Sequence, residues 1–243
     1  MMIFDHLVAL QFEYKDFAFE ENFKKFSSLV KKAPENSIIC APELCLSNFC
    51  YDDMNRAALF SKEMEKEVAE LSKDRVLTLT MLEKDEEEFI NRARVYFDGK
   101  LLYKREKYKL FEFGKEHLYF KRGEEKDIKL FEIAGVKFAL LICFELRFVE
   151  LWEKIKGADV ILIPSLWGKL RKKHLEVLSN ALSLANQCFV ITANSANSDM
   201  AKSSSISDPF GEFYKDNRKE MLVKKFDKNL IKKMRRYLDV GIK

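Results

Sequence analysis

Glycine and proline are scarce in this chain, eight and four among 243 residues. That scarcity excludes a collagen-like repeat, a flexible linker or a low-complexity block. It implies elements joined by tight connections. No apolar run approaches the roughly 18 residues that a membrane helix needs, so no membrane partner is expected. Histidine is rarer still. His6, His117 and His174 are scattered and lack metal-ligand spacing, and no metal or other cofactor is expected. Net charge is nearly absent as well: 43 Lys and Arg against 39 Asp and Glu leave +4, too little to argue for nucleic acid. The basic excess is local, with eleven Lys or Arg against four Asp or Glu from Lys215 to Lys243. The tail from about residue 228 therefore reads as a solvated helix face or a subunit arm. The five cysteines are Cys40, Cys45, Cys50, Cys143 and Cys188. Their odd number, and the lack of a basic flank and cleavage site around the apolar Met1–Phe12 segment, argue for a reducing cytoplasm. Cys40, Cys45 and Cys50 lack the paired spacing of a zinc site and read as packing, as does Cys188.

What is present alternates between strand and helix patterns. Residues 3–12 read as a buried strand. Phe19, Phe23, Phe26 and Val30 mark one face of a helix over 19–33. A short apolar run, Ile38 to Ala41, follows, then an amphipathic helix around Met64, Val68 and Leu71, then β-formers at 76–82. Asp98-Gly99 turns a hairpin between 92–97 and 101–104, and Gly135 turns another between 128–134 and 136–142. A helix is expected from about 146 to 156, a strand at 160–163, a long helix over 172–187 and a strand at 189–193. Phe210-Gly211 marks a further hairpin, before a strand at 221–226 and a basic terminal helix. Alternating strands and helices give the α/β class, and the hairpins make the sheets mixed. So many strands suit two packed sheets with helices outside.

Three reactive side chains stand at or near the ends of expected strands, the edge where α/β sheets hold ligands. Glu43 follows the Ile38–Pro42 run, Lys107 follows the 92–104 hairpin, and Cys143 follows an apolar strand and precedes a helix. A cysteine there is most often a core residue. Free N–H groups at a helix start would instead lower a thiol's pKa, and the Phe144 N–H could hold an oxyanion. Taken singly, Glu43 reads as a helix-start charge or a general base, and Lys107 as one member of a solvated basic cluster.

The words around these residues, and their order, resemble the nitrilase superfamily of carbon–nitrogen hydrolases. Ala41-Pro42-Glu43-Leu44 is similar to the segment carrying that family's base. Lys107-Tyr108-Lys109-Leu110-Phe111 is similar to its lysine segment, and Ile142-Cys143-Phe144-Glu145-Leu146-Arg147-Phe148-Val149-Glu150 to its nucleophile segment. Gly157-Ala158-Asp159, Pro164-Ser165-Leu166-Trp167, Ala185-Asn186-Gln187, Ala193-Asn194 and Asp208-Pro209-Phe210-Gly211 extend the likeness over the whole chain. Departures are Lys109 for a frequent histidine, Glu145 for the usual aspartate, Val149 for a usual proline, and a stretch from Ser198 to Ser205 without the usual glycine.

The resemblance implies one hydrolase domain over 1–243, a four-layer α-β-β-α sandwich that pairs as a homodimer or higher homo-oligomer. It implies Glu43 as general base, Lys107 as oxyanion-stabilising cation, Cys143 as nucleophile, and Glu116 as a second glutamate holding the lysine and substrate. Phe144, Arg147, Trp167 and Lys109 are expected to position substrate. The implied reaction is hydrolysis of a small amide through a thioester on Cys143. The compact length and the interval from Lys109-Leu110-Phe111 to Glu116-His117-Leu118-Tyr119 resemble ω-amidase-type members, with Arg147 or Lys109 attracting a substrate carboxylate. An N-carbamoyl amidohydrolase is the alternative enzyme, and a non-catalytic binding protein on the same fold is the alternative of another class.

Overall fold

The computed structural model describes residues 4–242. Ile3 of the expected first strand and Lys243 of the basic tail lie outside the described residues, with Met1 and Met2. In chain order the elements are β1 (His6–Leu10), α1 (Phe19–Lys32), β2 (Ser37–Cys40), α2 (Met54–Glu70), β3 (Val76–Asp85), β4 (Glu88–Phe97), β5 (Lys100–Glu106), β6 (Phe131–Ile133) and β7 (Val136–Leu140). They continue with α3 (Val149–Lys154), β8 (Val160–Pro164), α4 (Lys172–Asn186), β9 (Phe189–Ala193), β10 (Ser205–Ser207), β11 (Phe213–Lys215), β12 (Met221–Lys225) and α5 (Lys228–Tyr237). Two six-stranded sheets result, in the orders β12-β1-β2-β3-β4-β5 and β11-β10-β9-β8-β7-β6. Each has three parallel strands at its centre, β1-β2-β3 and β7-β8-β9, with antiparallel strands outside them. The mixed α/β architecture expected from the alternating pattern is the one found.

Period-two alternation assigns the faces. Leu7, Ala9, Ile38, Cys40 and Val76 pack toward the second sheet. Val8, Leu10, Ile39, Leu77 and Leu79 pack with Phe19, Phe26 and Val68 of α1 and α2. Helix α4 covers β9 and β10 on the far side. Helices thus flank two facing sheets in four layers. Helix α1 seats Glu20 and Glu21 in its first turn and Lys31 and Lys32 in its last, complementing its dipole.

Two local expectations change. Strands β3 and β4 run on as a long hairpin whose tip carries Glu83 to Glu88. Beyond the core the strands enter solvent, so apolar alternation stops while pairing continues; Glu83 links Arg92 and Arg94 there, at 2.6 and 2.5 Å. The helix expected over 146–156 is a 3-10 turn over Cys143–Arg147 followed by the six-residue α3. The chain cannot enter α-helix at once, because Cys143 is left-handed (φ +50°) and Phe148 is extended.

The scarcity of glycine has a backbone consequence. Fourteen described non-glycine residues have positive φ. Asn36, Asn48, Asp74 and Asp98 tolerate it well, and Asp98-Gly99 makes the β4–β5 turn (φ +50° and +76°). Leu44 (+46°) and Cys143 (+50°) do not, and each such residue stores about 1–3 kcal/mol.

The basic tail packs on its own chain. Ile231 and Met234 of α5 are buried, and Asp227 caps the helix through the Asn229 N–H at 2.9 Å. Lys228 reaches Asp159 at 2.8 Å, Arg235 donates to the Ala158 carbonyl at 2.7 Å, and Gln187 donates to the Leu238 carbonyl at 2.7 Å. Among the described residues no helix is long and apolar enough to cross a membrane.

Candidate active site

Strand ends carry the reactive groups. Beyond β2 the chain turns at Pro42, and the Glu43 N–H donates to the Ser165 carbonyl beyond β8 at 3.1 Å. The strained Leu44 is held by Thr80 Oγ1, which accepts its N–H at 2.7 Å, and Tyr14 Oη donates to the Glu43 carbonyl at 3.0 Å. Lys107 follows β5. Its N–H donates to the Asn91 carbonyl at 2.9 Å and its carbonyl accepts from Gly123 at 2.8 Å. A Cβ on Gly123 would lie 2.6 Å from the Glu106 carbonyl oxygen, so only glycine permits that approach.

These turns converge on one buried cluster. Lys107 Nζ donates to Glu43 Oε1 at 2.7 Å and to Glu116 Oε1 at 2.8 Å. The lysine and Glu43 side chains are fully buried and Glu116 nearly so. Asn91 Nδ2 also donates to Glu43 Oε1, at 2.9 Å, and Glu116 Oε2 accepts the Phe111 N–H at 3.0 Å. Burial, the largest single influence, acts to lower the Lys107 pKa, but the Glu43 and Glu116 carboxylates hold it above the ordinary lysine value. Burial raises the Glu116 pKa, with Lys107 opposing.

Cys143 joins the same cluster. Its Sγ accepts the Leu166 N–H at 3.4 Å. Burial, and then the Glu43 carboxylate, push its thiol well above the usual cysteine range, while Lys107 and the Leu166 N–H pull the other way. This corrects the expectation of a thiol acidified by a helix start: a short 3-10 turn supplies little dipole, and desolvation beside a carboxylate outweighs it. Glu43 Oε2 is buried and makes no hydrogen bond of good geometry, although its carboxylate is close enough to act on the thiol. It is the acceptor left over for a proton. Among the described residues' hydrogen bonds, none uses the Phe144 N–H.

Above the sulfur is a narrow pocket lined by Phe111, Phe144, Arg147, Leu166, Trp167 and Arg171, of about 20 Å³, little more than one water. The Arg147 guanidinium lies 4.5 Å over the Trp167 ring and 3.0 Å from His174 Nδ1. Arg171 lies 5.1 Å over Phe111. Among the described residues neither has a carboxylate partner, and burial followed by Arg171 lowers the Arg147 pKa. Trp167 Nε1 is buried without an acceptor. Its backbone is fixed by Asn194, which accepts the N–H at 2.7 Å and donates to the carbonyl at 3.2 Å.

Of the residues singled out from sequence, Glu43, Lys107, Glu116 and Cys143 come together, with Phe144, Arg147 and Trp167 around them. Lys109 does not join them. Its Nζ lies 4.4 Å over Phe148 and 4.9 Å over Tyr108 and 3.5 Å from Glu150, so aromatic faces and a carboxylate take up its charge beside a wider hollow. Asn91, Tyr14 and Arg171 are the functional candidates that sequence reading passed over. A polar residue within a strand was the available signal for Asn91; nothing local marks Arg171. Among the described residues no cluster of three or more His, Cys, Asp or Glu could hold a metal ion.

Residues 7–236 match the carbon-nitrogen hydrolase family model. The chain is 29% identical over 226 residues to the 2-oxoglutaramate amidase of Bacillus subtilis, covering 87% of this chain and 86% of that one. It is 27% identical to an omega-amidase of Xenopus tropicalis, covering 79% and 77%. Among solved structures it resembles Nit3 of Saccharomyces cerevisiae, a nitrilase superfamily member, with a TM-score of 0.85 at 21% identity over 97% and 94% of the two chains. It also resembles a mutant amidase from Nesterenkonia sp. AN1 bearing the acetamide moiety of fluoroacetamide on its active-site cysteine, with a TM-score of 0.83 at 16% identity over 97% and 95%.

Proposed function

This chain belongs to the carbon–nitrogen hydrolase family, and on that premise we propose that it hydrolyses the terminal amide of a small carboxylate-bearing substrate through a thioester on Cys143. The observation that carries the reading is the buried Lys107 ammonium, bonded to Glu43 and Glu116 beside the one cysteine that lines the narrow pocket. An amide resists attack because its amine leaves poorly, and dividing the reaction into acylation and deacylation lowers each barrier. Cys143 rests as a neutral thiol. Glu43 Oε2 takes its proton as sulfur attacks the carbonyl carbon. The oxyanion that forms is stabilised by Lys107 and the Phe144 N–H, each such donor contributing roughly 3–4 kcal/mol. Collapse breaks the C–N bond, and the proton held by Glu43 leaves with ammonia. Water, deprotonated by Glu43, then attacks the thioester; the acid departs and the thiol regains its proton. Asn91 and Glu116 keep the base and the lysine in place.

The substrate's carboxylate is read from the pocket mouth. Arg147 and Arg171 line one pocket and have no countercharge among the described residues, beside the buried Trp167 N–H that lacks an acceptor there, and an anion would relieve both deficits. The names of the 2-oxoglutaramate amidase and omega-amidase relatives agree with a substrate of this kind. Apolar side chains left exposed on α4, Val177 and Leu184, with Phe210 in the adjoining turn, support pairing of two copies. The five free thiols suit a reducing compartment, with the whole chain acting as one catalytic unit.

The test is a panel of a 2-oxo dicarboxylic monoamide, a neutral primary amide and an N-carbamoyl amino acid, with mass spectrometry of the trapped enzyme. Ammonia release from the first without carbon dioxide, an acyl adduct on Cys143, and loss of turnover in a folded Cys143→Ala variant are expected. Parental turnover in that variant would overturn the mechanism. Preference for the N-carbamoyl compound would overturn the substrate class.

A further inference from the structure

One buried ion pair takes no part in the chemistry above. The Arg105 and Glu145 side chains have no solvent exposure, and the guanidinium fork places one N–H on each carboxylate oxygen. Arg105 also donates to the Leu140 carbonyl at 2.9 Å and the Glu106 carbonyl at 3.0 Å. Glu145 accepts two backbone N–H groups besides, from Tyr108 at 2.7 Å and Ile142 at 2.6 Å. Those two are telling. Tyr108 directly follows Lys107, and Ile142 directly precedes Cys143. A single carboxylate therefore grips the chain beside the ammonium and beside the sulfur.

The location gives the grip its purpose. Arg105 lies in β5, the edge of the first sheet, and Leu140 ends β7 in the second; among the described residues no strand ladder joins the two sheets. Main-chain bonds do cross between the sheets elsewhere, as from the Glu43 N–H to the Ser165 carbonyl, but among the described residues none links the Lys107 segment to the Cys143 segment, and Arg105 and Glu145 tie those two instead. Stability alone does not call for ions there, since replacing a buried pair by apolar residues is often neutral or stabilising. A bidentate fork does supply direction and distance that apolar packing lacks. Glu145, one methylene longer than the aspartate usual in the resembling motif, reaches that fork.

We infer that Arg105 and Glu145 are positioning residues, a clamp that sets the Lys107 ammonium against the Cys143 sulfur across the sheet interface. The inference rests on the roles proposed above for Lys107 and Cys143. If the clamp is lost, Lys107 drifts, and the thiolate and the oxyanion both lose their cation. Misplacement by about 1 Å costs on the order of 100-fold in rate.

The test uses the full chain in two variants. Arg105→Met with Glu145→Leu removes both charges and strands neither; Arg105→Lys keeps charge and bulk but loses the fork. Each is followed by thermal melting, by kcat and KM on the preferred amide, and by the pH profile of iodoacetamide alkylation at Cys143. The expected result is a folded protein, kcat lower by about 10- to 100-fold, KM within about twofold, and an alkylation midpoint moved to higher pH. Folded variants with parental kcat and an unmoved midpoint would show the pair to be scaffolding only. Should the double variant unfold, Arg105→Lys decides by the same measurements. The alkylation profile needs no substrate. A moved midpoint in a protein that cleaves none of the amides would sink the proposed activity and leave the clamp standing.

Discussion

The charges at the bottom of the site and those at its mouth are handled in opposite ways. At the bottom, Lys107 is fully buried and bonded to two carboxylates, one of which is steadied further by Asn91. At the mouth, Arg147 and Arg171 have no carboxylate partner among the described residues and rest on the faces of Trp167 and Phe111. Burying an unpaired ammonium would cost several kcal/mol, so a cation that serves the reaction must be neutralised from within. A half-exposed guanidinium can wait on an aromatic face and take its countercharge from the ligand. On the proposed reading, internal pairing marks chemistry and its absence marks recognition.

The sharpest way to break this contrast is Lys107→Met. It leaves Glu43 and Glu116 buried without a cation, so stability should fall by about 3–5 kcal/mol and kcat by about 10²- to 10³-fold, read by denaturant titration and steady-state kinetics. Retained activity would mean that the bottom of the site does not depend on its pairing.

Alkaline pH should expose the burial of the same interior. Burial raises the pKa of Cys40, Cys45 and Cys188, which are fully enclosed, and of Cys143 at the floor of the pocket. Above the unfolded thiol value of about 8.5 the unfolded chain loses protons that the folded chain keeps. Stability is therefore complete below that pH and declines as pH rises toward the folded values, by up to about 1.4 kcal/mol per thiol for each unit. Chemical denaturation between pH 7 and 10 measures it, and a flat profile would contradict the burial.

Arg171→Gln probes the mouth. The loss of one charged hydrogen bond, roughly 1.5 kcal/mol, should raise KM for a carboxylate-bearing amide about 10-fold with kcat nearly unchanged. A neutral amide should be unaffected. An equal loss on both substrates would assign Arg171 to packing. The smallest effect is expected from Thr80→Val, which leaves the Leu44 N–H unpaired. A loss of about 1 kcal/mol in thermal or denaturant unfolding is expected, since the bond only holds a turn beside Glu43.

Much of this was legible in the chain. The unbroken apolar runs Leu7 to Leu10 and Ile38 to Ala41 show strands buried on both faces, and Asp98-Gly99 shows its hairpin, because these signals are local. The catalytic candidates were legible through their flanking words. The β3–β4 tip was not, since charged residues in solvent-facing strands look like loop. The acidity of Cys143 was misjudged because the helix start suggested by the sequence is a strained turn, and because a neighbouring carboxylate is invisible at a separation of a hundred residues.

Residue types, periodicity and motif order by themselves determined the α/β class and named Glu43, Lys107 and Cys143. Only the tertiary structure decided which cations border the sulfur. It set Arg171 into the pocket and turned Lys109 away to Glu150, although Lys109 stands within the Lys107 motif and Arg171 stands outside it. The reason is physical: period and propensity act over a few residues, whereas a side chain's charge is settled by whatever the packing of two sheets brings within a few ångströms of it.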